Sequence, residues 1–423
     1  MGKGKFRYSL MLGICIAAVA GLVCGIVFGE KMANFKVVGD LFLQLMQMPI
    51  ILLIMTAVIE AVGTLNPKEL GRLGLKTIVL FALTTAMAGL AGLAAGFVMQ
   101  PGVGLQIEGV FDLQTITVPT PANFSQQLLG YVSSNIFASM AGGNNLQCVI
   151  IAILFGITLS IYGSKNESNP VLNGIKHVNK VVMQFIFIII QGLPLAIFSF
   201  ISYAVGVIGT QVLLTLAKLI IANYIAMCAV MLFFIVFACS YCKVNPFKFF
   251  PKIARMTLIA FVSTSSAVTL PTKMEDGEKL IGISPRVNRL VAPMGMSMNS
   301  DGAVCFFCLS CVTIAQVFGL SMTGSQLVTL IVFSTAFSFA AVSVPGGGLV
   351  MLAVVLAAVG LPVEGMVIIS AADFFLAPIR TIGNSIDDVM VAMIVAQSEG
   401  EFDRDIYNGK KAFDPNVLSY KKA

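Results

Sequence analysis

Charged residues are scarce in this sequence. Asp, Glu, Lys and Arg make up only 11% of its 423 residues, whereas 57% of the residues are hydrophobic and the mean hydropathy is +0.94. A soluble domain needs far more charge to cover its surface. The scarcity of charge therefore excludes an ordinary soluble protein and indicates that lipid surrounds most of the chain.

Basic residues are absent from residues 101–145, although Glu108 and Asp112 lie there. They concentrate instead in short polar segments between apolar runs, namely residues 3–7, 68–76, 165–180, 243–255, 273–289 and 410–422. An excess of Lys and Arg is typical of cytoplasmic loops. We therefore expect a multi-pass protein of the cell (inner) membrane with both termini in the cytoplasm. The net charge of +6 reflects this topology rather than nucleic-acid binding.

Apolar runs long enough to cross a bilayer fill the first half of the chain. Single spans are predicted at residues 8–29, 37–63, 72–99, 146–163, 180–205 and 208–239.

The basic segments 243–255 and 273–289 both indicate the cytoplasm, yet the stretch between them, at the centre of residues 247–281, is too short for two crossings. The polar run Ser263-Thr264-Ser265-Ser266 interrupts its middle. We therefore expect a re-entrant hairpin that enters the membrane from the cytoplasm.

Residues 325–360 are the mirror case, because two apolar arms flank Pro345-Gly346-Gly347-Gly348 with no basic residue near either end. This hairpin should enter from the outside. A helix follows each hairpin, at residues 285–318 and 362–397. Two such units that enter from opposite sides form an inverted repeat, and paired interrupted segments point to the binding site of a transporter.

Arg380 is the only basic residue between Leu290 and Asp403. An Arg at the centre of a membrane helix costs about 2.5–3.5 kcal/mol on insertion scales, so it requires a partner or a role. Two interpretations remain open. Arg380 forms a buried ion pair with Asp373, two helical turns earlier, or its guanidinium binds a carboxylate of the substrate.

The run Asn299-Ser300-Asp301-Gly302 interrupts the apolar residues 290–318. It predicts local unwinding, and the oxygens that it offers suit a hard cation such as sodium. Asn384 and Asp388 share one helix face and could complete a second cation site. Thr84 and Thr85 could add hydroxyl oxygens, or could simply bond to carbonyl groups of their own helix.

In this order, these motifs resemble those of the dicarboxylate/amino acid:cation symporter family, the glutamate-transporter homologues. The resemblance covers essentially the whole chain. It rests on the serine-rich run with Thr269-Leu270-Pro271, the break Asn299-Ser300-Asp301-Gly302, the turn Val344-Pro345-Gly346-Gly347-Gly348, and Arg380-Thr381 followed by Asn384 and Asp388.

The resemblance implies an all-α polytopic membrane protein with about eight transmembrane helices and two re-entrant helical hairpins. It further implies a homotrimer that works by an elevator mechanism. The corresponding divisions are scaffold helices one and two (residues 1–70), transport-domain helix three (71–100), an extracellular loop with scaffold helices four and five (101–207), the rest of the transport domain (208–399) and a cytoplasmic tail (400–423).

The resemblance also implies the binding residues. The substrate would contact Ser265, Ser266, Val344, Pro345, Gly346, Gly347, Arg380, Thr381 and Asn384. Co-transported sodium ions would contact Thr84, Thr85, Gly295, Ser297, Asn299, Asp301, Ser338, Phe339, Ala341, Asn384 and Asp388. No organic cofactor is expected.

Three positions depart from the family pattern. Ser300 replaces the usual methionine, and Ala303 replaces a threonine that helps to hold an acidic side chain. Ala377 replaces the aspartate that binds the amino group of the substrate. Since a buried ammonium without a partner costs several kcal/mol, this loss favours a dicarboxylate without an amino group.

We therefore expect a sodium-coupled symporter, not an enzyme, for a C4-dicarboxylate or an acidic amino acid, with the lipid bilayer as its other partner. A transporter of neutral amino acids or cystine is the alternative. An intramembrane aspartyl protease that uses Asp301 and Asp388 is a remote one, because no G-x-G motif precedes Asp387 or Asp388. An anion channel lined by Arg380 would leave the cation-binding residues unexplained.

Overall fold

The computed structural model of the protein describes residues 10–63, 73–105, 132–142, 145–165, 169–338 and 347–413. These residues are helical apart from short connections and one isolated bridge between Ile283 and Phe402. The α-helices in chain order are α1 (Leu10–Phe28), α2 (Lys36–Gln47), α3 (Ile50–Gly63), α4 (Leu75–Met99), α5 (Ile136–Ala141), α6 (Asn145–Lys165), α7 (Pro170–Ile190), α8 (Leu193–Tyr203), α9 (Gln211–Tyr241), α10 (Phe249–Ser263), α11 (Ser266–Asp276), α12 (Pro285–Met298), α13 (Asp301–Val317), α14 (Gly324–Ser338), α15 (Gly347–Val359), α16 (Met366–Glu399) and α17 (Arg404–Asn408).

Four helical stretches in the described ranges are long and apolar enough to cross a membrane: Ile16–Phe42, Leu75–Met99, Gln211–Tyr241 and Pro285–Val317. A bent pair, Val363–Ser370 and Phe375–Glu399, is a fifth candidate. Shorter apolar helices accompany them, which fits the expected mixture of full spans and interrupted segments.

Two of the predicted single spans are broken near a proline. The expected span at residues 37–63 is divided into α2 and α3, and Pro49 lies at the division. The expected span at 180–205 is divided into α7 and α8, with Pro194 in the first turn of α8. Proline cannot donate the backbone hydrogen bond of a helix interior, so each proline lies at the start of a new helix.

Both predicted hairpin regions consist of two helices that contact each other. In the first region, α10 and α11 pack together across Thr264, whose left-handed backbone (φ 48°) ends α10. In the second region, α14 and α15 pack together, and the predicted turn at residues 339–346 lies outside the described residues.

Most helices after α8 pack around α16, which contacts α9, α10, α11, α12, α13 and α15 and also α4 and α8, whereas α14 packs against α4, α13 and α15. Helix α4 joins this group through α9 and α13, whereas α1, α2, α3, α6, α7 and α8 pack largely among themselves. The predicted division of the chain into scaffold and transport domains is not tested by these contacts alone and stays a prediction.

Helices α4 and α13 approach each other very closely. A Cβ atom on Gly92 would lie 2.3 Å from the Cys305 carbonyl oxygen, and one on Gly96 would lie 2.9 Å from Val312. Small residues permit such close approach between membrane helices. This packing brings the middle of α4, including Thr85, to the break between α12 and α13.

The start of α12 is fastened to the end of α16. Gly400 ends α16 in the left-handed region (φ 72°), and the chain then runs beside residues 282–284. The Ser284 backbone N–H donates to Glu401 O at 3.2 Å, and the Asp403 N–H donates to Gly282 O at 2.8 Å. These bonds fix α12 against α16, the helix that carries the buried Asp373, Arg380, Asp387 and Asp388.

Candidate functional site

The predicted break after α12 is present. Asn299 has an extended backbone (φ −111°, ψ 121°), Ser300 follows it, and α13 begins at Asp301. A carboxylate in the first turn of a helix is stabilised by the helix dipole. The side chains of Asn299, Ser300 and Asp301 are all buried.

Asn299 links residues of α4 and α16. The Thr85 hydroxyl of α4 lies 3.1 Å from Asn299 Oδ1 and 2.6 Å from Asp301 Oδ1. On the other side, Asn299 Nδ2 donates to Asp387 Oδ2 at 3.0 Å and to Asp388 Oδ1 at 3.1 Å. The structure therefore brings four of the predicted cation ligands, Thr85, Asn299, Asp301 and Asp388, together with Asp387.

Asp301 and Asp387 form the uncompensated part of this cluster. Both side chains are buried and are linked through Thr85 and Asn299, because Thr85 bonds to Asp301 Oδ1 and to Asn299 Oδ1, and Asn299 Nδ2 donates to Asp387 Oδ2. Asp301 Oδ2 and Asp387 Oδ1 have no hydrogen-bond partner in the described part of the chain. Two carboxylates in one buried cluster repel each other unless a cation or a proton compensates their charge. The residues present therefore fit a monovalent cation at this position.

Asp388 is in a different state, because its charge is already compensated. The ammonium of Lys273 contacts Asp388 Oδ2, and both side chains are completely buried. Gly295 of α12 leaves room for this carboxylate, since a Cβ atom there would lie 2.2 Å from Asp388 Oδ1. The sequence analysis grouped Lys273 with the cytoplasmic basic residues, and this was wrong: its position on α11 directs it inward, toward α16.

Arg380 pairs with Asp373, as one of the two interpretations of the sequence proposed. Arg380 Nη1 lies 2.6 Å from Asp373 Oδ1, but neither atom has an aligned hydrogen bond to any described residue. The guanidinium also lies over the Phe306 ring, with Cζ 4.5 Å from the ring centroid. The pair is therefore held by charge and packing, without the bidentate geometry of a strong Arg–carboxylate contact.

Two glycines place other elements against Arg380. A Cβ atom on Gly348, at the start of α15, would lie 2.8 Å from Nη1, and one on Gly302 would lie 2.4 Å from the Arg380 Cα. The Gly302 N–H donates to Asn384 Oδ1 at 2.8 Å. Arg380 and the Asp301 cluster are thus adjacent, with Gly302 between them.

The remaining predicted residues have more ordinary local bonds. Thr84 donates to Phe81 O at 3.1 Å, Thr381 donates to Ala377 O at 3.0 Å, Ser338 donates to Thr335 O at 2.7 Å, and the exposed Ser297 donates to Pro293 O at 3.0 Å. Ser265 caps the start of α11, and Ser266 behind it is buried. Gly347 begins α15, whereas Phe339, Ala341, Val344, Pro345 and Gly346 lie outside the described residues.

Lys273 and Asp387 are the residues that the predicted site did not include. One sequence signal pointed to Asp387: it forms a carboxylate doublet with Asp388 inside an apolar helix. The two carboxylates of this doublet require a compensating positive charge. The only basic residue nearby in the sequence is Arg380, so a second charge has to come from another helix. Lys273, two residues after Pro271 in the predicted hairpin, supplies this positive charge to Asp388.

Apolar helices broken around a buried cluster of charges define a multi-pass membrane protein of the transporter class. A profile of the sodium:dicarboxylate symporter family matches residues 10–398. The chain therefore belongs to this family, as its motifs suggested.

Full-length relatives agree with this assignment. The chain is 30% identical over 414 residues to the proton/sodium-glutamate symport protein of Bacillus caldotenax, covering 94% of this chain and 96% of the relative. It is 31% identical to the proton/glutamate-aspartate symporter of Bacillus subtilis (strain 168), with 92% and 94% covered. It is also 29% identical to the C4-dicarboxylate transport protein of Anaeromyxobacter sp. (strain K), with 95% and 92% covered.

Proposed function

We propose that this protein is a symporter that couples the inward flow of sodium to the uptake of a small dicarboxylate, and that Arg380 binds one carboxylate of the substrate. The proposal rests on the surroundings of Arg380 and on its incomplete pairing with Asp373. Arg380 is a buried guanidinium beside the start of α15, and its ion pair with Asp373 lacks aligned hydrogen bonds. A substrate carboxylate could make the bidentate contact that Asp373 does not make.

A dicarboxylate fits the surroundings of Arg380 better than an amino acid does. Ala377, one turn before Arg380, offers no charge to a substrate ammonium. Asp373 is the carboxylate next to Arg380, and Arg380 already neutralises it. A substrate with two carboxylates and no ammonium avoids burying an unpaired positive charge.

An acidic amino acid is the second candidate, because two of the relatives are named for glutamate. Asp373 favours it in one respect. A substrate carboxylate that displaced Asp373 from Arg380 would leave the Asp373 carboxylate free to bind an ammonium. Neutral amino acids and cystine fit less well, since they offer Arg380 no side-chain carboxylate.

Sodium is the cation that we propose for the cluster of Thr85, Asn299, Asp301 and Asp387. Carboxylate, amide and hydroxyl oxygens suit hard cations, and the two unpartnered carboxylate oxygens require a positive charge. Some relatives are named for both protons and sodium, so the test below compares the two ions.

We also propose the family architecture for this chain. It would be a homotrimer in the cell (inner) membrane, with cytoplasmic termini, two re-entrant hairpins and an elevator mechanism. The scaffold would comprise residues 1–70 and 101–207, and the transport domain residues 71–100 and 208–399. The packing of α9 to α16 around a common centre, together with α4, supports treating them as one moving unit.

Arg380→Ala tests the role of Arg380 in substrate binding. We expect dicarboxylate affinity to fall at least about 30-fold, because loss of one partner of a buried, hydrogen-bonded charge pair typically costs more than about 2 kcal/mol. Binding is measured by calorimetry on purified protein, and folding by size-exclusion chromatography. Arg289→Ala, which removes an Arg with a 71% exposed side chain, is the matched control. Unchanged affinity in Arg380→Ala would reduce Arg380 to a structural ion pair.

A further inference from the structure

Lys273 is a buried basic residue for which the proposed transport cycle has no role. It lies on α11, the second arm of the first predicted hairpin, and its side chain is completely buried. Its ammonium contacts Asp388 Oδ2 on α16, across 115 residues of sequence. A long side chain that could have extended to solvent instead points into the protein interior.

The partner of Lys273 is the carboxylate that the family resemblance assigns to a sodium ion. Each oxygen of Asp388 accepts one hydrogen bond, Oδ2 from the Lys273 ammonium and Oδ1 from Asn299 Nδ2 at 3.1 Å, and the Lys273 charge compensates the carboxylate. A metal cation needs oxygen lone pairs and avoids a neighbouring positive charge. Asp388, as arranged here, therefore does not fit a sodium ion.

Asp301 and Asp387, the other carboxylates of the cluster, have no basic residue paired with them in the described part of the chain. Asp301 Oδ2 and Asp387 Oδ1 have no donor among the described residues, and no described ammonium or guanidinium is paired with them. Three buried carboxylates therefore share one ammonium, and that ammonium is committed to one of them. The cluster therefore has two parts: Asp388, whose charge Lys273 compensates, and the open carboxylate pair Asp301 and Asp387, whose charges no described basic residue compensates.

We propose that Lys273 is a tethered cation that takes the place of one co-transported sodium ion at Asp388. The chain binds its transported cation at Asp301 and Asp387 and carries a permanent positive charge at Asp388. Both Lys273 and Asp388 belong to the helices packed around α16, so this charge moves with the site and is never released. The inference rests on the proposed sodium coupling and determines its stoichiometry.

The proposal predicts how many sodium ions accompany each substrate. Lys273→Ser exposes the Asp388 carboxylate and leaves a cavity with oxygen atoms around it, so the variant should take up one more sodium ion per substrate than the wild type. The ratio is measured from reversal potentials in proteoliposomes with opposing sodium and substrate gradients. Lys279→Ser, which removes an exposed Lys of the same region, should keep the wild-type ratio.

A ratio in Lys273→Ser equal to that of the wild type would overturn the proposal, since a merely structural ion pair would leave the ion count unchanged. If this variant does not fold or transport, the double variant Lys273→Met/Asp388→Asn decides. It removes both charges together, which proteins tolerate better than removal of one partner. The ratio should then equal that of the wild type, and a ratio lower by one would show that Asp388 binds sodium.

The outcome for the wild type separates this inference from the proposed function. If the wild-type protein shows no sodium-driven uptake of any carboxylate, the proposed function fails. If the wild type transports but the deciding variant gives the contradicting ratio, only the tethered cation is rejected.

Discussion

Asn299 lies at the centre of the buried cluster of carboxylates. Its amide contacts both the unpaired Asp387 and Asp388, whose charge Lys273 compensates. Its oxygen lies 3.1 Å from the Thr85 hydroxyl, and its nitrogen donates to Asp387 and Asp388. An amide can do this because it combines an acceptor with two donors. The sequence analysis identified Asn299, Asp301 and Asp388 as polar residues within apolar helices, a signal that needs no knowledge of the fold.

Lys273 could not be identified in the same way, since the direction of its side chain depends on the hairpin. Basic residues near the ends of apolar segments usually lie at the cytoplasmic surface. Only the packing of α11 against α16 turns this one inward. Asp387 was missed for a related reason. It is adjacent to Asp388 in the sequence, and the sequence alone does not show which of the two helix faces points toward Asn299 and Asp301.

Asp301→Asn tests the open carboxylate pair. The substitution removes one of two charges that repel each other, so the protein without sodium should be as stable as the wild type or more so. The increase in melting temperature that sodium gives the wild type should disappear, because stabilisation by a ligand requires its site. Melting curves with and without sodium measure both effects.

Glu364→Gln makes the same chemical change at an exposed position and serves as the control. It should keep the full sodium response. A sodium response retained in Asp301→Asn would contradict the assignment of the cation to Asp301 and Asp387.

At the scale of elements, the positions of helix breaks are what the sequence predicted best. The break at Asn299-Ser300 and the tip between α10 and α11 both lie where polar residues interrupt an apolar run. The sequence analysis did not predict the breaks at Pro49 and Pro194. Hydropathy does not show that proline lacks the backbone N–H that a continuous helix needs. The tip of the second predicted hairpin lies outside the described residues and stays a prediction.

The contact between α4 and α13 is the element-scale feature that supports the site. Gly89, Gly92 and Gly96 lie along the face of α4 that packs against α13, and a Cβ atom on each would lie within 3.1 Å of an α13 residue. The contact matters for function because it holds Thr85 against Asn299 and Asp301.

Gly92→Ala tests this contact. Its added Cβ would lie 2.3 Å from a backbone oxygen, which cannot move without shifting α13. We expect a loss of stability of about 1–3 kcal/mol, typical of overpacking, and a weaker sodium response. The measurement is thermal unfolding in detergent, with and without sodium.

Gly174→Ala is the matched control, because nothing lies within 4 Å of the added Cβ on α7. It should unfold at the wild-type temperature or slightly above it, as alanine favours the helix. Equal behaviour of the two variants would show that the α4–α13 contact is looser than the structure indicates.

At the scale of the whole molecule, composition and charge distribution were sufficient to predict a multi-pass transporter, and the family match confirms that class. What they could not predict is the distribution of charge within the site. Hydropathy records that a charge is buried, but not which opposite charge lies beside it. We propose that selectivity and coupling depend on those pairs, here Arg380 with Asp373 and Lys273 with Asp388.

The most direct test of the account is uptake of radiolabelled succinate and glutamate by the purified protein in liposomes, driven by a sodium gradient or by a proton gradient alone. We expect sodium to drive succinate uptake, and succinate to be preferred over glutamate by at least about tenfold in apparent affinity, since Ala377 leaves an ammonium unpaired. Preference for glutamate would show that another carboxylate, first of all Asp373, binds the amino group. Equal uptake of succinate on a proton gradient alone would contradict the sodium coupling itself.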